Sequence, residues 1–174
     1  MIIDLFKIPV LISNIDLNKI NLKSKKFEKT WVSETPSTHD QKADIDEQSV
    51  KYVTQTIASI LEEQVKHPFQ IYLKEIWENN YVDNDYQEPH LHPECDFSFI
   101  IYKDVKEGKT VFINPLRHYL QFYKNISYMY NPFFKPKCKT GQIIVFPSFL
   151  QHMVMRSSKQ KTIFVNVVFK NLLF

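Results

Sequence analysis

Cysteine is scarce in this sequence, with Cys95 and Cys138 the whole supply. They form no CxxC pair, and two thiols are too few to staple a domain of this size. That excludes a disulfide scaffold and leads us to expect free thiols in a reducing compartment. Long apolar runs are missing too. No stretch is long enough to cross a bilayer, and the start, Met1-Ile2-Ile3-Asp4, has neither a basic leader nor a cleavable apolar run. The chain is therefore expected to be soluble and cytoplasmic, without a membrane partner. Charge of one sign is also lacking, since 22 basic residues face 19 acidic ones for a net +3, with lysines and acids interleaved. This pattern gives no warrant for a nucleic-acid groove, and no nucleic-acid partner is expected. Internal repeats and low-complexity segments are absent.

What the sequence does have is apolar and aromatic content, 44% and 14% of 174 residues. That is enough for one domain, residues 1–174, with its own core. Leu5 to Ile12 read as a first strand whose Pro9 suits a sheet edge. Ser13 to about Asp40 mix Asn, Lys, Ser and Thr around a lone Trp31 and read as loop with room for one short helix. Val50, Val53, Ile57, Ile60 and Leu61 recur at helical spacing, with Asp44 as N-cap and Glu47 in capping-box position, and the helix stops before His67-Pro68. From Phe69 the character is that of strands: 69–77, 97–102, 110–113, 142–146 and 162–169, punctuated by Asn, Asp, Gly and Pro. Short strands after one N-terminal helix predict a mainly β chain, a sandwich or barrel with helical support.

Metal-type side chains gather in Tyr86-Gln87-Glu88-Pro89-His90-Leu91-His92-Pro93-Glu94. Alternate residues of a strand share a face, so His90 and His92 can aim at one point. A third ligand must come from elsewhere, and His152, in the loop between the last two strands, is the best candidate. His39, His67 and His118 read as surface or hydrogen-bonding groups, and Trp77 as core. The patternless, aromatic stretch from Leu116 to Phe134 sits where a lid or substrate loop can be inserted.

These residues carry a resemblance. The run from Tyr86 to Pro93, then Phe97 to Tyr102, Gly108, Phe112 to Pro115, the segment from Gly141 through Phe146-Pro147-Ser148 to His152, and Lys161 before Phe164-Val165-Asn166 together resemble the 2-oxoglutarate and iron(II)-dependent oxygenases common in phages and marine bacteria, relatives of the prolyl 4-hydroxylases. The resemblance spans nearly the whole chain. It implies a double-stranded β-helix, or cupin-like jelly roll, with Fe(II) and 2-oxoglutarate as cofactors and, in a phage-encoded protein, the host cytoplasm as its setting. His90 and His152 would hold the metal. His92 stands where the wider superfamily usually has the Asp of a His-x-Asp pair, and Glu94 is an alternative ligand. Lys161 matches the basic partner of the keto acid's far carboxylate, with Arg156 as competitor and Tyr102 as a hydrogen-bonding group. No catalytic side chain is expected beyond the metal ligands. The activity implied is hydroxylation of a small molecule or protein, with release of succinate and CO2; the sequence leaves the oligomeric state open, a homodimer included. Two other readings use the same residues: a non-catalytic jelly-roll protein that binds a metal or small acid, supported by the missing Asp, and a zinc hydrolase.

Overall fold

The computed structural model describes residues 7–23, 26–30, 33–39, 44–82, 84–123, 125, 130–156 and 159–172. In chain order the strands are β1 (Leu11–Asn14), β2 (Leu22–Lys23), β3 (Glu28–Thr30), β4 (Ser33–Ser37), β5 (Asp44–Ile45), β6 (Phe69–Tyr81), β7 (Gln87–His90), β8 (Phe97–Asp104), β9 (Thr110–Ile113), β10 (Phe133–Phe134), β11 (Gln142–Pro147), β12 (His152–Val154) and β13 (Gln160–Asn171), with helices α1 (Glu47–Glu62) and α2 (Arg117–Leu120). Two runs rich in β-branched and aromatic residues, β6 and β13, pair antiparallel from Gln160↔Tyr81 to Asn171↔Phe69 and form the spine of a large sheet ordered β1-β11-β8-β13-β6-β4-β3. A smaller sheet, β10-β9-β12-β7, faces it. This two-sheet antiparallel arrangement is the jelly roll that the resemblance implies.

Strand parity divides the core. On the outer face of the large sheet, Val53, Ile57, Ile60 and Leu61 of α1 pack against Ile76, Phe99, Ile101, Ile143, Ile163 and Val165. Between the sheets, Trp77, Ile100, Tyr102, Phe112, Ile144, Phe146 and Phe164 form a second cluster. Strands β8 and β11 are buried on both faces, which is why they read as continuous apolar runs. Gly108 is required here: a Cβ at that position would lie 2.5 Å from Cε1 of the fully buried Tyr102.

Several expectations are corrected. The helix is capped by Asp46, whose carboxylate accepts from the Ser49 amide, and not by Asp44, which the β2–β5 ribbon holds extended opposite Lys23. Residues 28–30 and 33–37, read as loop, extend the large sheet as β3 and β4. Their composition is weakly β-forming, and it is the free edge of β6 that draws them in through the Ser37↔Asn79 pair. His152 opens β12 and does not lie in a loop. The first strand forms as Leu11–Asn14 at the sheet edge, later than the run read as strand: Lys7 to Val10, with Pro9, precede it, and Leu5 and Phe6 lie outside the described residues. The Leu116–Phe134 stretch contributes only α2 and β10 among its described residues, and Tyr119, Phe122 and Tyr123 stand exposed on it. No helix among the described residues is long and apolar enough to cross a membrane.

Candidate metal centre

Sheet register brings the first two histidines together. β12 lies between β7 and β9, with His152 paired directly to His90 on one side and to Phe112 on the other. The chain leaving β7 then crosses toward the loop after β11, where the His92 amide donates to the Ser148 carbonyl at 3.1 Å. The His90, His92 and His152 rings consequently lie 4.2 to 5.2 Å apart, and one ligand nitrogen from each falls within 4.8 Å of the other two.

Hydrogen bonding decides which nitrogen each ring offers. Nδ1 of His90 lies 2.7 Å from the Glu88 carbonyl and Nδ1 of His152 3.1 Å from that of Leu150, so each donates Nδ1–H to the main chain and turns an Nε2 lone pair inward. All three Nε2 atoms are buried and lack a protein partner. Trp77, Phe146 and Phe164 wall the rings. Burial lowers the pKa of every one, to about 3 for His92 and well below the usual range for His152, and the neighbouring imidazoles add to the shift in both. His90 is lowered by burial as well, against a smaller opposing pull from the Glu88 carbonyl. Buried, partnerless nitrogens on neutral imidazoles are what a divalent transition metal requires of a site, and iron(II) fits this donor set.

A cavity of about 340 Å³ opens onto the histidines and is lined also by Ser37, His39, Trp77, Asn79 and Gln87. His39, read as a surface group, thus stands at the mouth, edge-on to Trp77 at 4.7 Å. Behind His152 a smaller cavity of about 10 Å³ shares Asn79 and Gln87 with the first and is lined by Tyr81, Gln160 and Thr162. Among the described residues neither lining includes Lys or Arg.

The expected co-substrate residues fall elsewhere. Lys161 is exposed and lies on the opposite face of β13, because alternation turns Gln160, Thr162 and Phe164 inward. Arg156 is exposed too, its guanidinium 5.2 Å over the Tyr86 ring. Tyr102 spends its hydroxyl on Thr110, at 2.9 Å, and reaches the inner cavity only through that residue. Glu94 is out of reach of the centre: after Pro93 the backbone takes a positive φ of 61°, and the carboxylate, 86% exposed, pairs with Lys74. The residue overlooked in the sequence is Gln160, 2% exposed. Its Oε1 accepts from the Lys109 amide at 3.3 Å, which leaves Nε2 buried and unpartnered in the inner cavity.

The fold and the converging imidazoles define a class, a jelly roll with a metal centre between its sheets. The family follows from residues 75–165, just over half of the chain, which match a family model described as "Putative 2OG-Fe(II) oxygenase". The chain belongs to this family; it is an oxygenase whose cofactors are iron(II) and 2-oxoglutarate. Similar solved structures include a prolyl hydroxylase from Trichoplax adhaerens in complex with a hypoxia inducible factor peptide fragment, at TM-score 0.57 and 10% identity over 91% of this chain and 83% of that one. HygX from Streptomyces hygroscopicus, with nickel, 2-oxoglutarate and hygromycin B bound, aligns at 0.55 and 8% identity over 96% and 84%. The viral collagen prolyl hydroxylase of Paramecium Bursaria Chlorella virus-1 gives 0.51 and 10% over 78% and 79%. No curated protein matches the chain in sequence.

Proposed function

We propose that the protein is a 2-oxoglutarate-dependent dioxygenase that hydroxylates an unactivated C–H bond in a small-molecule or protein substrate, with release of succinate and CO2. The observation that carries the reading is the set of three buried, unpartnered Nε2 atoms of His90, His92 and His152 inside the segment that matches the family. Dioxygen is the oxidant and 2-oxoglutarate its two-electron co-reductant, so that one oxygen atom ends in the new hydroxyl and the other in succinate; iron(II) would supply the centre at which they react, and the protein supplies binding, orientation and dryness. His90 and His152 hold the metal through nitrogens aimed by main-chain carbonyls. Gln160 donates its free Nε2–H to the far carboxylate of the keto acid, in the role the resemblance gave to Lys161, once the inner cavity of about 10 Å³, room for one water, widens on binding. Trp77, Phe146 and Phe164 keep water from the metal side, while the wider cavity bordered by Ser37 and His39 receives the substrate. A cytoplasmic setting suits the two cysteines, which are free thiols.

The test is turnover: iron-loaded protein incubated aerobically with labelled 2-oxoglutarate is expected to form labelled succinate above a no-iron control, and none with any candidate substrate would sink the proposal. A non-catalytic binding protein remains the second reading, favoured by the absence of a carboxylate at position 92. A visible charge-transfer band on mixing anaerobic iron(II) protein with 2-oxoglutarate is expected of the enzyme, whereas a protein that binds the metal but no keto acid would support the binder.

A further inference from the structure

The three histidines are not held alike. His90 and His152 are oriented by main-chain carbonyls, but Nδ1 of His92 faces the side-chain amide of Asn166, whose Nδ2 lies 3.4 Å away. The orientation of that amide is fixed from its other side. Nδ2 donates to Glu75 Oε2 at 3.0 Å, across the directly paired strands β6 and β13, and Oδ1 accepts from the Ser98 hydroxyl at 2.7 Å. Ser98 in turn lies 2.8 Å from the Ser148 hydroxyl. Turning the amide over would set Oδ1 against the Glu75 carboxylate, two acceptors with no proton between them. The nitrogen that faces His92 is therefore a donor, and Nδ1 of His92 must accept. A neutral imidazole carries a single ring proton, so in His92 that proton sits on Nε2, the atom aimed at His90 and His152.

We propose that Glu75 and Asn166 hold His92 in the Nε2–H tautomer, so that it enters the metal centre as a hydrogen-bond donor rather than as a third nitrogen ligand. His90 and His152 are then the protein ligands. The third protein position on the metal falls to a small monodentate ligand bearing a lone pair, water or an anion, to which His92 donates. This arrangement relieves a difficulty of the sequence: three neutral imidazoles leave a dication without compensating charge, whereas an exchangeable anion supplies it. Glu75 and Asn166 touch no reacting atom and act as positioning residues. The inference rests on reading the histidines as a metal centre, yet its first readout needs no metal and no turnover.

In metal-free protein with 15N-labelled histidine, long-range 1H–15N correlation spectra distinguish the two tautomers. His90 and His152 are expected to be Nδ1–H and His92 Nε2–H, with signals assigned by their loss in single variants. Three rings of the Nδ1–H form would overturn the proposal. In Glu75→Lys, a donor replaces the acceptor, the Asn166 amide turns over, and the Ser98–Ser148 hydroxyl pair reverses to follow. His92 is then expected to switch to Nδ1–H, and an unchanged tautomer would remove Glu75 from the role. Cobalt(II) or zinc(II) affinity by competition supplies the metal arm: His90→Ala is expected to weaken binding by well over the roughly 10- to 100-fold that losing an outer hydrogen-bonding partner costs, and His92→Ala to stay within that range. Equal losses would make His92 an ordinary ligand. A protein that forms no succinate yet shows the mixed tautomers would lose its proposed activity and keep this inference.

Discussion

At the scale of single residues, the site depends on which way a side chain points, and neighbouring positions on one strand diverge completely. Gln160 and Lys161 are adjacent, yet only the first looks into the inner cavity. Gln160→Leu is expected to raise KM for 2-oxoglutarate about 10- to 100-fold, the loss of one hydrogen bond to a charged group, while Lys161→Ala changes it by no more than about twofold, as for an exposed side chain. Steady-state kinetics with varied 2-oxoglutarate checks both, and the reverse ranking would restore Lys161 as the carboxylate's partner. Gly108 makes a similar point in the core. Gly108→Ala drives a methyl into the Tyr102 ring, against which β8 and β9 cannot easily part, and is expected to cost about 1–3 kcal/mol in urea unfolding.

The elements show what could be read in the sequence and what could not. The helix, the later strands and the HxH-plus-distal-His layout were legible because each rests on a local period, 3.6 or 2, or on a short motif. Strands β3 and β4 were not, since Glu-Lys-Thr and Ser-Glu-Thr-Pro-Ser become strands only by adding to an edge that tertiary structure provides. The helix start was misplaced by two residues because Asp44 and Asp46 both offer a capping carboxylate, and only the pairing of Asp44 with Lys23 tells them apart. Asp46→Ala is therefore expected to destabilise the protein by about 0.5–2 kcal/mol, and Asp44→Ala distinctly less, in the same unfolding assay. Gln160 escaped notice for a related reason. The strand was read from Thr162, and only its true start at Gln160 puts that residue on the face shared by Phe164 and Asn166.

The molecule as a whole carries its chemistry and its charge in different places. Lys106, Lys109, Lys137, Lys139 and Lys159, with Glu107 alone opposing them, ring a cleft of about 480 Å³ that shares no lining residue with the histidine cavities. Five lysines less one glutamate exceed the whole chain's net +3, so the remainder is slightly acidic. Acid should act on the whole molecule through the other pole. The three imidazoles are buried neutral with lowered pKa values, whereas in the unfolded chain they titrate near ~6.5. As pH falls below that value the unfolded state takes up protons that the folded state refuses, so stability declines, by up to ~1.4 kcal/mol per pH unit for each ring, down toward the folded pKa of about 3 for His92. Urea unfolding of metal-free protein at pH 7.5, 6 and 5 is expected to show that loss setting in below pH 6.5, and equal stability at pH 7.5 and 5 would contradict it. Saturating metal should add stability at pH 7.5, by about 2.7 kcal/mol at a hundred times Kd, and progressively less in acid.

The carbonyls of Glu88 and Leu150 that orient His90 and His152 belong to the main chain, and every amino acid brings the same group. Position 88, which is exposed, can therefore change while His90 keeps its aim, whereas Leu150, 4% exposed, is held by core packing rather than by its carbonyl. For His90 and His152 the alignment asks only for the histidines themselves and the register of two short strands, whereas the aim of His92 is written in the side chains of Asn166 and Glu75.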